Sequence, residues 1–295
     1  VIPIATSGET TKRVVPEDTL ARIAGADLPV LRATTIALRK LEANIDRISG
    51  KDLTQAILRD PLMTLLVIRF ITSHRTRSQT QDITTIAHAL MMLGLSRFFR
   101  EFHDLPVLQD ELRGNPAALG AALNTLSRAR TASLYAREWA VIRHDVDPEE
   151  VVVATLLHDI GDVVWRGVLQ KNAASETQPE TEVPPPALMR DAQHQLFVQW
   201  KLPGLLVELM DNAHAERPRV QNVGLACQLA RDAAFGWRGP RVDETMKRVQ
   251  RLLHVSIAEL HERVVKASLA AARDWTMYGV RPAAYYWPML PEKHP

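Results

Sequence analysis

The chain has 295 residues, of which 46% are hydrophobic and only 5% aromatic, and its formal net charge is +2. That length can bury a sizeable core and leads us to expect two structural lobes, while so small a charge argues against nucleic-acid binding. The single cysteine, Cys227, excludes an internal disulfide and fits a reducing, cytoplasmic compartment, and no apolar run is long enough to span a membrane.

Alanine, leucine and arginine dominate over β-branched alternation, which predicts an all-α fold. Residues 1–20 read as an irregular segment with one short helix starting at Pro16. Leu31, Ile36, Leu38 and Leu41 sit at helical spacing within Leu28–Asp46. Ser49 and Asp52 form the acidic version of a capping box and open a helix towards Asp60. Asp60–Pro61 then breaks the chain and starts an apolar, buried helix over Leu62–His74. Asp82 is the expected N-cap of a helix to Met92, stopped by Gly94. Met63, Met91 and Met92 are expected to fill core gaps.

Asn115–Pro116 opens a long helix to His144, and Asp147–Pro148 opens the next. The proline-rich acidic run at 173–186 reads as a loop. Helices are expected again at Ala187–Trp200, Leu202–His214, Val220–Phe235, Asp243–Val255 and Ser256–Val280. The proline-rich end, with Tyr285, Tyr286, Trp287 and Met289, is expected to dock on the body. The start at Val1, without a methionine, leaves room for an upstream domain.

The segment VVVATLLHDIGD (151–162) places His158 beside Asp159 near the middle of the expected helix. Imidazole and carboxylate together suit first-row divalent metals, and such an ion can activate water against a phosphate ester. The plainer reading is a structural hydrogen-bonded pair, with Gly161 ending the helix. His194, His214, His254, His261 and His144 are the further candidate ligands. Cys227 reads as a small buried side chain, with Arg231 one turn on as only a faint hint of an activated thiol.

Four segments in order carry a resemblance: RDPLMTLLVIRFITSHR (59–75), DITTIAHALMMLGLSRF (82–98), LLHDIGD (156–162) and QHQLFVQWKLPGLLVELMDNAH (193–214). Together they resemble the HDOD domain, a degenerate relative of the HD and HD-GYP phosphohydrolases, over about residues 21–236. The resemblance implies an N-terminal helical subdomain (21–114) packed on an HD-like helical bundle (115–236), with C-terminal helices and a docked tail at 237–295. It also implies a metal pocket of which His158, Asp159, His194 and His214 survive. Arg128, in LSRARTASLYAREWA (126–140), stands where the first histidine of the metal-bound relatives would be, and a guanidinium cannot ligate a metal. Cys227 or Gln228 replaces the last aspartate, and Asp162 replaces a lysine.

The resulting expectation is a non-catalytic signal-transduction module without cofactor that acts on other signalling proteins. Arg128 is expected to pair with Asp159 in place of a metal. The alternative is a metal-dependent phosphohydrolase, with Mn or Fe on His158, Asp159, His194 and His214, acting on a nucleotide or cyclic dinucleotide.

Overall fold

The structure, a computed structural model, describes residues 15–74, 82–171 and 182–286. Among these residues there are sixteen α-helices and no strand; a single parallel bridge joins Val30 to Val107. The all-α expectation holds, and no helix among the described residues is long and apolar enough to cross a membrane.

The N-terminal layer comprises α1 (Glu17–Ala24), α2 (Arg32–Glu42), α3 (Gly50–Ile57), α4 (Pro61–Ser73), α5 (Ile86–Leu93), α6 (Leu95–Glu101) and α7 (Leu108–Glu111). The capping box of α3 forms as expected: the Ser49 hydroxyl accepts from the Asp52 amide and the Asp52 carboxylate accepts from the Ser49 amide. The α4 helix is apolar almost all round because it is the core of this layer. Leu62, Met63, Leu65, Val67 and Ile68 are all fully buried.

One carboxylate sets the geometry of that layer. Asp60 is fully buried and accepts hydrogen bonds from the Leu31 amide (2.8 Å), the Thr34 hydroxyl (2.6 Å) and the Leu62 amide (2.9 Å). It therefore caps α4 and ties down the start of α2 with the same group, satisfying amides that a helix start leaves open. Burial pushes its pKa up, and the hydrogen bonds from Thr34, Leu31 and Leu62 resist that.

The bundle comprises α8 (Pro116–Arg143), α9 (Pro148–Leu157), α10 (Ile160–Leu169), α11 (Pro186–Gln199), α12 (Gly204–Met210), α13 (Pro218–Ala233), α14 (Pro240–Leu253), α15 (Ile257–Ala272) and α16 (Trp275–Tyr278). The spine is α8, 28 residues long, with Asn115 accepting from the Ala118 amide as its cap and α9, α10, α13 and α15 packed around it. Its buried face is rich in small residues, Ala118, Ala122, Ala129, Ala132, Ala136 and Ala140, which lets neighbouring helices approach closely. Tyr135 shares a buried 2.6 Å hydrogen bond with Ser268 and so joins α8 to α15.

Several expected boundaries shift. Thr85, not Asp82, caps α5, its hydroxyl accepting from the His88 amide. The segment expected as one helix from Asp147 breaks at the dyad into α9 and α10, and the one expected over Ser256–Val280 breaks at Asp274. Asp274 is buried and takes Arg130 of α8 (2.9 Å) and Arg59 in the turn between α3 and α4 (3.3 Å), so this break ties the C-terminal helices to both layers. A boundary at residue 21 would cut α1, which packs on α10 and α11 of the bundle. Met91 is 75% exposed and Met92 48%, so only Met63 of the three methionines fills core. In the tail, a 3₁₀ turn at Ala283–Tyr286 lies against α13 and α15 while Tyr285 stays exposed. Residues 1–14, most of the 173–186 run, and Trp287 and Met289 lie outside the described residues.

Asp60→Ala is expected to lower the unfolding free energy by roughly 2–4 kcal/mol, from the lost cap and the orphaned buried donors, as read from urea transitions. Asp60→Asn keeps an oxygen acceptor and is expected to lose less than half as much. Equal losses would show that the charge, not the acceptor geometry, holds the junction.

Candidate functional site

The His158–Asp159 dyad occupies the break between α9 and α10, and the break is held open by one side chain. The buried Gln193 of α11 donates from Nε2 to the His158 carbonyl (2.9 Å) and accepts at Oε1 from the Gly161 amide (2.6 Å). Its amide thus satisfies the end of one helix and the start of the next. Gly161 lies inside α10 and does not end a helix. Its glycine is needed for proximity: a Cβ there would meet Gln193 Oε1 at 2.8 Å and Gln193 Cβ at 3.0 Å.

Within the dyad, His158 Nδ1 is 2.8 Å from Asp159 Oδ1, and the ring is 11% exposed against 36% for the carboxylate. The cation beside Asp159 is Arg231 of α13, whose Nη2 lies 3.2 Å from Oδ2. This corrects the expectation for Arg128, which makes no ion pair with Asp159 among the described residues. The Arg128 Nη2 donates instead to the Thr125 hydroxyl on its own helix (2.9 Å), and its buried Nε has no hydrogen-bond partner among the described residues. Asp162 is engaged by Arg166 one turn on, at 3.0 Å. Cys227 is buried and sits beside the imidazole, its Sγ directed at the Thr155 carbonyl at 4.0 Å.

Burial pulls the His158 pKa down, but the Cys227 sulfur and the Asp159 carboxylate pull it up and prevail, leaving it well above the ordinary 6.5. Asp159 goes the other way: burial raises its pKa, yet the imidazole and Arg231 outweigh this and hold it well below the usual carboxylate range. Burial lowers the Arg128 pKa, with Asp159 opposing that.

Of the four candidate ligands, the structure brings together only His158 and Asp159. His194 is exposed and lies outside the cleft, because its neighbour Gln193 faces inward and consecutive helical side chains diverge by about 100°. His214 is 41% exposed in the 3₁₀ turn after α12, 3.9 Å from Glu216. Among the described residues, no three His, Cys, Asp or Glu side chains converge to hold a metal ion. The donor set does not fit a divalent ion: one imidazole and one carboxylate remain, and that carboxylate is neutralised by a guanidinium. Gln193 is the residue sequence reasoning missed, and Arg231, noted only beside the Cys227 thiol, was not expected as the partner of Asp159. Arg231 sits one turn beyond Cys227 and Gln228, on the stretch where the last ligand was sought, so helical spacing pointed at it.

The chain matches the HDOD domain family over residues 28–216, more than half its length. It belongs to the HDOD family. Solved structures with the same fold include the MmoQ response regulator of Methylococcus capsulatus str. Bath, at 17% identity and a TM-score of 0.60, covering 82% of this chain and 99% of that one. A virulence factor of Campylobacter jejuni subsp. jejuni, cj0248, is similar at 18% identity and a TM-score of 0.58, covering 86% and 99% of the two chains. A search of curated proteins returned no match. The HDOD match ends before α13, although α13 supplies Arg231 and Gln228 to the cleft. The cleft of this HDOD protein therefore depends on a helix beyond the matched part.

Two outcomes test the clamp and the dyad. Gly161→Ala forces α11 and α10 apart and is expected to cost about 1–3 kcal/mol as an overpacking change, read by thermal unfolding. The raised His158 pKa means that the pair's stabilisation is complete below 6.5 and is lost as pH rises through the higher folded value. The lowered Asp159 pKa means that it is lost again as pH falls below the ordinary carboxylate value. Asp159→Asn is expected to move the imidazole titration, followed by ¹⁵N NMR, to lower pH. An unmoved titration would remove Asp159 from the account.

Proposed function

We propose that this HDOD protein is a non-catalytic signal-transduction module that works by binding other signalling proteins. The observation carrying this reading is the Arg231–Asp159 ion pair: the one carboxylate left next to the histidine is already neutralised. A divalent ion would have to displace a guanidinium and share the cleft with Arg128. The MmoQ neighbour, described as a response regulator, is in keeping with a signalling role. A groove of about 710 Å³ between the N-terminal layer and the bundle, with Met91 on its wall, offers a surface for a protein partner. Exposed methionine is suited to such contacts because it adapts its shape.

The test is metal content and hydrolysis on the same sample. After equilibration with Mn²⁺, Fe²⁺ and Zn²⁺ and desalting, the expected result is a negligible metal content per chain. Cleavage of bis-p-nitrophenyl phosphate or of a cyclic dinucleotide is expected to match the buffer blank. Tightly held metal that is lost in His158→Ala, together with turnover, would overturn the reading in favour of a metal-dependent phosphohydrolase.

A further inference from the structure

The cleft above the dyad encloses about 890 Å³ and is lined by four arginines, Arg128, Arg166, Arg190 and Arg231, against two carboxylates, Asp159 and Asp162. Each carboxylate already has its arginine: Asp159 has Arg231 and Asp162 has Arg166. Arg128 and Arg190 are left over, so among the described residues the walls carry two uncompensated positive charges before His158 is counted. Arg190 is exposed at the rim and makes no ion pair among the described residues. Arg128 lies deeper and is half-buried; its Nε is sealed from solvent and has no hydrogen-bond partner among the described residues. An arginine side chain has five N–H donors and no acceptor, so with only Nη2 engaged, by Thr125, the part of the Arg128 guanidinium that lines the cleft has donors left for an anion there. The sign of the cleft is thus the reverse of what a metal needs.

We propose that this cleft is an oxyanion site that takes the phosphate group of a phosphorylated small molecule, with Arg128 as the inner anchor and Arg190 at the mouth. The guanidinium fork matches a phosphate's oxygens better than an ammonium does. Arg231 shares the same wall and can divide its charge between Asp159 and a bound anion. Phe235, 87% exposed and also lining the cleft, gives a flat apolar face on which a ring attached to that phosphate could stack. The inference rests on the reading of the cleft as metal-free and adds a ligand to it.

The experiment is a calorimetric titration of the full chain with inorganic phosphate, AMP and adenosine, at low salt in EDTA, with the Arg128 Nε–H resonance followed by NMR. Saturable binding of phosphate and AMP, weakened by salt and accompanied by a shift of that resonance, is expected; adenosine should not bind. Arg128→Leu is expected to weaken both ligands at least about tenfold, and Arg128→Lys nearly as much. Because a buried arginine variant can fail to fold, Arg190→Ala is the second variant; it lies on the surface and should weaken binding several-fold with an unchanged melting temperature. Phe235→Ala distinguishes the sources: a loss for AMP alone assigns a ring-bearing phosphate, and no loss assigns the phosphate group by itself. No saturable binding at about 10 mM, where even a millimolar site registers, would overturn the inference, and so would binding indifferent to both arginine variants. Binding that appears only when Mn²⁺ is supplied would overturn the non-catalytic reading as well, so the two failures are told apart.

Discussion

The placement of the dyad depends on the primary amide of Gln193, which spans the gap between two helices that would otherwise run on as one. An α-helix leaves its last carbonyls and first amides unsatisfied, and a break in the protein interior is tolerable only when something supplies both a donor and an acceptor. A carboxamide does that with one planar group. The contact works because Gly161 brings backbone to within reach of it. The dyad follows from this break: His158 and Asp159 stand at it, with Cys227 and Arg231 of α13 beside them.

The molecule manages its two key carboxylates in opposite ways. Asp60 is buried among neutral donors, two amides and a hydroxyl, and burial shifts its titration towards the protonated form. Asp159 is partly open to solvent and lies between an imidazole and a guanidinium, which hold it ionised. The first is a structural clasp and the second an electrostatic one. The difference matters for what can approach: the Asp60 environment is closed, while the charges around Asp159 face a cleft.

Much of the architecture was legible because helix boundaries are written in local chemistry. Asn115–Pro116, Asp147–Pro148, Ser49 with Asp52, and Asp60–Pro61 all mark starts where the structure has them. The errors fall where a tertiary contact overrides the local pattern. Val151–Leu169 is apolar enough to read as one helix, and the groups its break leaves open are met by Gln193, 32 residues beyond Gly161 in sequence. The same limit affected the site. His194 and His214 have the right residue type in a resembling order, but facing is decided by helix rotation and by where α12 ends, neither of which a motif encodes. Arg128 lines the same cleft as the dyad but Arg231 takes the pairing, because choosing between two arginines needs the relative positions of α8 and α13.

The backbone clasp at Val30 and Val107, made by Val30 N–H to the Pro106 carbonyl and Leu108 N–H to the Val30 carbonyl, both at 2.8 Å, has a topological consequence. The stretch from 31 to 106 is an excursion whose two ends meet, while α1, which precedes it, packs on α10 and α11, which follow it. The Ala24 carbonyl at the end of α1 accepts from both Arg69 of α4 and the Trp200 indole beyond α11. On a ribosome, α1 emerges before the other described helices, but its seat does not exist until residue 200 has been made. The excursion, rich in short-range contacts, can close behind it well before then. The helix that precedes the excursion is thus among the last to find its place.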